Sequence, residues 1–422
     1  MIPESAPRAF ADPQLPAWRR LLNHAALTTG LALAGAFLIW VFPSVAATDI
    51  LIWGAFLWAL PRWRRAASIW RTAPGLAAAL VSLYALVQLA WAVHPALSAR
   101  DLLRDLRLPA GAFVLSVLAT DTRRAERALM ISALALLPIF AFDLIRLISS
   151  LGLDQLVTSA RYCKPYLLNH PNVSSLLAGA VCLICACGAW SRRARPRVAT
   201  GLAAGALLAA AYLVVMASRG PQAAFAVSAG AAFLLIPRTW KGRMTGLILM
   251  LLAALLISAN LQRINARFLD KSDLFSGRTV VWRQTAALIQ AHPWFGYGYG
   301  KGTFQQVYTA SHPPPSPFFF PHPHQYALFV LFQGGRAWLV LQAALWLLLA
   351  IRLIRALARS QNDTARMPIV LVALLLILWH VYGLGDYPDN RLQTALVALI
   401  PLAIAVSAPA ACPGKTCTRT SG

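Results

Sequence analysis

The chain has 422 residues, of which 59% are hydrophobic and 12% are charged, and its mean hydropathy is +0.61. Soluble domains carry about 25% charged residues, so this composition excludes a water-soluble fold, which could not bury so much apolar surface. The formal net charge of +24 does not indicate a nucleic-acid partner, because most arginines stand in short clusters between apolar runs, the pattern that orients membrane proteins.

Apolar runs of bilayer-crossing length recur along the chain and predict an all-α polytopic membrane protein with about twelve transmembrane helices. Their centres are expected near residues 32, 53, 83, 114, 138, 181, 208, 229, 251, 338, 376 and 401. The first run follows Arg19 and Arg20. It exceeds the apolar region of about 7–15 residues that is typical of a signal peptide, which is the alternative interpretation. We treat residues 1–422 as a single integral membrane domain.

The basic residues fall in alternate joints between these runs, at 62–71, 123–127, 192–197, 238–243 and 352–366. Positively charged joints face the cytoplasm, so this alternation predicts that both chain ends lie inside. We therefore expect a multi-pass protein of a bacterial inner membrane, surrounded by membrane lipids. The remaining loops between its spans should face the periplasm.

The largest periplasmic joint, residues 261–323, is expected between the ninth and tenth spans and reads as partly helical. Helical spacing of apolar residues predicts an amphipathic helix from Arg278 that ends before Pro293 and lies on the membrane surface. The alternate glycines of 296–302 then exclude a stable helix. A stiff, extended segment rich in Pro and Phe follows at 313–321 and suggests a lid near a lipid.

Charged and polar residues at the outward ends of the spans run against the topology trend. They are Arg161, Lys164, Arg219, Arg278, Lys301, His324, Asp389 and Arg391. A single arginine in such a place usually reaches lipid phosphates, and a single histidine is usually a satisfied interface residue. Several cations, a histidine and a carboxylate on one face together favour a functional site.

These residue types suit a reaction on an activated lipid-linked donor, since the periplasm contains no ATP. A diphosphate leaving group needs cations, and the planar fork of arginine binds it well. The chain has only 14 Asp and Glu and no outward Asp-rich motif, so we expect neither a metal nor another cofactor. His324 is the expected base, with Gln325 as polar partner and Asp389 to orient the ring; His322 is the rival.

Four stretches of the sequence resemble the O-antigen ligase and polymerase superfamily. They are Arg161 to Asn172, Ser218-Arg219-Gly220, Gly277 to Gly302, and His324-Gln325 with Gly335 downstream. Each pattern is weak alone, and together they are moderately specific. Trp338 stands where the family pattern has a small residue or tyrosine.

The resemblance implies an inverting, metal-independent glycosyltransferase that moves O-antigen polysaccharide from undecaprenyl diphosphate to lipid A–core oligosaccharide on the periplasmic face. His324, Arg278 and Arg219 would be catalytic. The expected substrate-binding residues are Arg161, Lys164, Lys301, Asp389 and Arg391.

Other functions remain open. O-antigen polymerases and protein O-oligosaccharyltransferases share the superfamily, but the latter usually carry a sizeable soluble part after the spans, and this chain continues only briefly. A transporter of lipid-linked sugar is less favoured, because it predicts charges near mid-membrane. Here only Asp143 and Arg146 lie within a span.

Overall fold

The computed structural model describes residues 45–118, 122–160, 163, 165, 170–216, 218–237, 239, 241, 244, 278–311, 322–360, 363–386, 400, 403–405 and 407. Every regular element in these residues is helical. Two short 3-10 helices lie at Leu60–Arg62 and Gln88–Ala90, and the α-helices in chain order are α1 (Val45–Ala59), α2 (Trp63–Trp70), α3 (Ala73–Val87), α4 (Pro95–Asp105), α5 (Arg107–Leu118), α6 (Thr122–Ser159), α7 (Pro171–Ser191), α8 (Pro196–Val215), α9 (Arg219–Leu235), α10 (Arg278–Ala291), α11 (Lys301–Ser311), α12 (Tyr326–Arg359) and α13 (Asp363–Gly385).

Among the described residues, six helical stretches are long and apolar enough to cross a membrane, which confirms an α-helical membrane protein. They are Ala73–Ala90, Leu129–Leu153, Pro171–Ser191, Pro196–Val215, Tyr326–Arg359 and Arg366–Gly385. Each matches a predicted span. The helices α1, α5 and α9 coincide with three further predicted spans but have 15, 12 and 17 residues. The spans expected near 32 and 251, and most of the one near 401, lie outside the described residues, so the count of twelve stays a prediction.

The helices α7 and α13 form the centre of the bundle, since 83% and 67% of their spanning residues are buried. α7 contacts α6, α8, α9 and α13. Its small residues let its neighbours approach closely: a Cβ on Gly179 would lie 3.4 Å from the Phe225 ring. This packing brings one end each of α7, α8, α9 and α13 together.

The two charges inside a predicted span neutralise each other. Asp143 and Arg146 of α6 form an ion pair of 2.8 Å, and the Tyr212 hydroxyl donates to the other oxygen of Asp143 at 2.7 Å. A paired and hydrogen-bonded charge is the form in which such residues are tolerated at membrane depth.

A sharp kink divides α12. Gly335 has φ 65° and ψ −163°, so 326–334 and 336–359 are two helices that meet at this residue. The Tyr326 hydroxyl donates to Gln342 Oε1, although a straight helix would separate these residues by about 24 Å. The first part therefore folds back toward the second, and the tenth predicted span corresponds to the second part.

The helix predicted from Arg278 is present as α10, which ends two residues before Pro293, and its place on the membrane surface stays a prediction. Its buried Val281 belongs to one apolar cluster with Phe304, Phe329 and Phe332. The glycine run is non-helical, as expected, up to the start of α11. The Pro/Phe segment at 313–321 lies outside the described residues.

Candidate active site

The carboxylate of Asp386 lies where several helix ends meet. Asp386 directly follows α13 and is 6% exposed. Its Oδ1 is 2.9 Å from Nδ1 of His324. Its Oδ2 accepts hydrogen bonds from Asn172 Nδ2 at 2.9 Å and from the Tyr382 hydroxyl at 3.1 Å, and the guanidinium of Arg278 is 3.5 Å away. One buried carboxylate thus joins two predicted catalytic side chains, His324 and Arg278.

The backbone of His324 adopts an uncommon conformation. Its φ of 52° lies in the left-handed region, and no other non-glycine residue of the described segments has a positive φ. Trp282 Nε1 donates to the carbonyl of Pro323 at 2.8 Å, and the His324 N–H donates to Nδ1 of His322 at 3.2 Å. Such strain persists only where the surroundings fix it. These contacts therefore hold the His324 ring against Asp386.

The two ring nitrogens of His324 take different roles in this geometry. An ionised Asp386 only accepts hydrogen bonds, so we assign the proton between them to Nδ1 of His324. Nε2 is then the basic nitrogen, the atom that takes a proton from a hydroxyl group. The His324 side chain is 21% exposed, which leaves room for a substrate to contact the ring.

Gln325 does not act as the predicted polar partner of His324. Its side-chain oxygen accepts a hydrogen bond from the backbone N–H of Leu328 and caps α12. A cap of this kind satisfies one of the N–H groups that a helix start leaves without an intrahelical partner. The adjacent pair thus combines a site residue with the cap of the following helix.

Arg278 connects the start of α10 to the end of α13. Its Nη1 donates to the carbonyl oxygen of Gly385, and its Nη2 approaches Asp386. The side chain is 26% exposed. The guanidinium therefore balances the charge of Asp386 while it stays accessible to an anionic ligand.

The segment that carries Arg219 is tied to the same carboxylate. Ser218 precedes α9, and its hydroxyl donates to Oδ1 of Asn172, whose amide donates to Asp386. Gly220 packs against Tyr382, since a Cβ there would lie 3.5 Å from the tyrosine ring. Arg219, between Ser218 and Gly220, thus begins its helix beside the site.

His322 lies buried beside His324, with 4.2 Å between the ring centroids. Burial above all, together with the charges of His324 and Lys301, lowers the pKa of His322 to about 2. Its Nδ1 accepts the His324 N–H, as an unprotonated ring nitrogen does. His322 is therefore a neutral support for the His324 backbone, and Lys301 lies within electrostatic range of the site.

The backbone of the glycine-rich segment is hydrogen-bonded to the kink of α12. Residues 293–298 and 332–337 form four backbone hydrogen bonds of 2.8–3.2 Å. Gly296 and Gly335 have φ values of 66° and 65°, and a Cβ on either would come within 2.5 Å of the opposite backbone. Only glycine fits these two positions. These hydrogen bonds fix the position of the short helix that follows His324.

The helix α4 supports the glycine-rich segment on another side. The Gly302 N–H donates to Asp101 at 2.7 Å, and the Tyr299 hydroxyl donates to Asp105 at 3.1 Å. Both carboxylates are buried. Residues about two hundred positions apart meet here, and no sequence pattern indicated the contact.

A segment of the chain that contains part of this site matches a known protein family. Residues 204–337 match the O-antigen ligase family, Wzy_C. No curated protein matches the chain. The match covers about a third of the chain, from α8 to the kink of α12, and ends one residue before Trp338. It confirms the resemblance to the O-antigen ligase superfamily, whose members are enzymes that act on lipid-linked polysaccharide in membranes.

Four of the expected site residues lie inside the O-antigen ligase match, namely Arg219, Arg278, Lys301 and His324. The structure brings His324 and Arg278 into one cluster, with Lys301 and the segment of Arg219 beside it. Arg161, Lys164, Asp389 and Arg391 lie outside the described residues.

Sequence reasoning missed Asp386, which lies against His324; the contact expected of Asp389 stays a prediction, because Asp389 lies outside the described residues. It also missed Asn172 and Tyr382, although Asn172 lies in one of the stretches that carry the resemblance. The sequence does contain one indication of a role for Asp386. This residue directly follows the apolar run of α13, where a carboxylate reaches the membrane surface.

The cluster also contains groups that bind metals in other proteins. His322, His324 and Asp386 offer ligand atoms within 4.8 Å of one another, a donor set that suits a transition metal. However, Nδ1 of His322 accepts a backbone N–H, and the guanidinium of Arg278 already faces Asp386. A divalent cation would meet the positive charges of Arg278 and Lys301, so metal-independent chemistry stays the prediction.

Proposed function

We propose that this protein is an O-antigen ligase of the bacterial inner membrane. It transfers polysaccharide from undecaprenyl diphosphate to lipid A–core oligosaccharide at the periplasmic face, without a metal or other cofactor. The observation that carries the proposal is the His324–Asp386–Arg278 cluster, which adjoins the ends of membrane-spanning helices and has two of its members in the matched segment.

The reaction is a single displacement. An acceptor hydroxyl on the core oligosaccharide attacks the anomeric carbon of the donor sugar, and its proton passes to Nε2 of His324. The bond between that carbon and the diphosphate oxygen breaks, and undecaprenyl diphosphate leaves with the electron pair. Attack opposite the leaving group inverts the anomeric configuration.

The residues divide into two groups in this mechanism. Asp386 holds the His324 ring and stabilises the imidazolium that forms, as the carboxylate of a Ser-His-Asp triad does. Arg278 and Arg219 stabilise the diphosphate as its negative charge grows. Lys301 contributes charge nearby, and we assign substrate binding also to Arg161, Lys164, Asp389 and Arg391.

Reconstitution with alternative acceptors tests the proposal. Purified protein in vesicles receives a lipid-linked oligosaccharide donor together with lipid A–core, a second lipid-linked oligosaccharide, or a peptide. We expect transfer to lipid A–core with inverted configuration, read by gel mobility and NMR of the new linkage. Elongation of the lipid-linked oligosaccharide would identify a polymerase, and transfer to peptide a protein glycosyltransferase; either result contradicts the ligase assignment.

A further inference from the structure

The glycine-rich segment is shaped around one buried carboxylate of α4. The Asp101 side chain is 2% exposed, and its Oδ2 accepts the N–H of Gly302 at 2.7 Å. Gly300 has a φ of 98°, and a Cβ on it would lie 2.4 Å from Cβ of Asp101. Only glycine fits at position 300. This glycine therefore lets the Asp101 carboxylate reach the backbone at the start of α11.

Two further hydrogen bonds tie the same segment to α4. The hydroxyl groups of Ser98 and Thr303 lie 2.8 Å apart, and both side chains are buried. The Tyr299 hydroxyl donates to Asp105 at 3.1 Å. Lys301 thus has residues bound to α4 on both sides of it in the chain, so α4 determines the path of the backbone that carries Lys301.

Lys301 occupies an unfavourable place, because it is the first residue of α11. The N-terminus of a helix carries a partial positive charge, which disfavours a lysine and favours an acidic group. The first turn of α11 contains no acidic residue. Asp101 supplies the missing negative charge from α4. A lysine that breaks a local preference and needs such compensation is typical of a functional site.

The start of α11 lies beside the candidate active site. The Phe304 ring packs edge-on against Phe332, with 4.9 Å between the ring centroids. Phe332 belongs to the short helix that begins two residues after His324. Besides burial and the charge of His324, the charge of Lys301 lowers the pKa of His322. Packing and electrostatics therefore both place Lys301 close to the two histidines.

We propose that Asp101 is a positioning residue for Lys301. By holding the Gly302 N–H, it fixes the backbone of Lys301 so that the ammonium group meets the diphosphate of the donor. Glycine-rich segments can bind phosphate through their own N–H groups, but here Asp101 already accepts the N–H of Gly302. The charge offered to the donor is therefore that of the Lys301 side chain. This inference rests on the proposed function and adds a residue of α4 to the donor site.

Variants of Asp101 separate its hydrogen bond from its charge. The KM for lipid-linked oligosaccharide donor and kcat are measured with purified protein in vesicles. Asp101→Ala should raise the donor KM on the order of tenfold, because a contact to a charged group is misplaced. We expect kcat to stay within about threefold, because the His324 base is not moved. Asp101→Leu is the second variant if Asp101→Ala does not fold, since it keeps a similar volume without the buried charge. Asp101→Asn keeps an oxygen for the Gly302 N–H, so its donor KM should stay within about threefold of wild type.

A double-mutant cycle with Lys301 distinguishes positioning from general support of the fold. Lys301→Ala should raise the donor KM about as much as Asp101→Ala does. Because Asp101 acts through Lys301, adding Asp101→Ala to Lys301→Ala should raise the KM by less than about twofold more. Ser98→Ala is the matched control, because it removes another buried hydrogen bond between α4 and α11 but leaves the Gly302 contact in place. Its donor KM should equal that of wild type even where its thermal stability falls as far as that of Asp101→Ala.

Four results would overturn the inference. An unchanged donor KM in Lys301→Ala, or in the Asp101 variants that lack an acceptor, would remove the link to donor binding. A further tenfold rise in the double variant would show that Asp101 does not act through Lys301. An equal rise in Ser98→Ala would assign the effect to the docking of α4 in general, and an equal rise in Asp101→Asn would exclude the hydrogen bond as its cause. Failure of wild-type protein to transfer from any donor would instead contradict the proposed function.

Discussion

Replacing Asp386 by asparagine should disable the base without removing it. Oδ2 of Asp386 accepts from Asn172 and Tyr382 and faces Arg278, so an amide NH₂ in that place would oppose three donors. The asparagine must therefore turn its oxygen toward them and its NH₂ toward Nδ1 of His324. Nδ1 then accepts, and the ring proton moves to Nε2, the atom that should take the proton from the acceptor hydroxyl.

The size of the effect follows from these roles. A positioned general base contributes about 10²–10⁴-fold, and the same substitution in a Ser-His-Asp triad lowers kcat about 10⁴-fold through the wrong tautomer. The His324 side chain is 21% exposed, so solvent offsets part of the loss. We expect kcat to fall on the order of a thousandfold.

The assay is transfer from lipid-linked donor by purified protein at saturating substrate, with donor binding measured separately. Asp143→Asn is the matched control, because Asp143 is also a buried carboxylate that accepts a tyrosine hydroxyl and faces an arginine, but it lies within the α6 span and not at the helix ends that form the cluster. We expect that control to keep a rate near wild type. An Asp386→Asn rate within about threefold of wild type would refute the pairing of His324 with Asp386.

Two further predictions concern the charges of the site. Arg278→Ala should lower the transfer rate about a hundredfold or more. Arg278→Lys should restore little of that rate, because lysine lacks the bidentate fork of arginine. Transfer activity that disappears with EDTA and returns with a divalent metal would contradict this role of Arg278. Burial lowers the pKa of His322 to about 2, so below about pH 6.5 the unfolded chain binds a proton that the folded chain does not. The stability of the wild-type protein should therefore fall as the pH drops through that range. In thermal unfolding, the His322→Gln variant should lose less stability between pH 7 and 5 than the wild type does. An equal loss of stability in both proteins would show that His322 is not held neutral.

The sequence allowed prediction of the features that depend on local pattern. Apolar length placed the six long helices, and helical spacing placed α10 from Arg278 to just before Pro293. Charge alternation also predicts an outward position for Arg278 and His324, and that orientation stays a prediction. These features need no knowledge of which helices are neighbours.

Features that depend on distant contacts were not predictable in the same way. Asp386 meets His324 across 62 positions, and it stands in a segment with a second carboxylate, Asp389, that fits the same pattern. The kink at Gly335 requires the backbone of 293–298 beside it, which an apolar run does not reveal. Gln325 could pair with a side chain or cap a helix, and only the path of α12 decides between them.

The central claim is that His324 is the catalytic base, and comparison of two histidine variants tests it most directly. Purified His324→Ala and His322→Ala proteins are each assayed for binding of the lipid-linked donor and for transfer of its polysaccharide. We predict that His324→Ala binds donor as wild type does but transfers nothing measurable, and that His322→Ala transfers at a reduced rate, because His322 only supports the His324 backbone. Transfer by His324→Ala at a rate near wild type, or loss of transfer in His322→Ala alone, would contradict it.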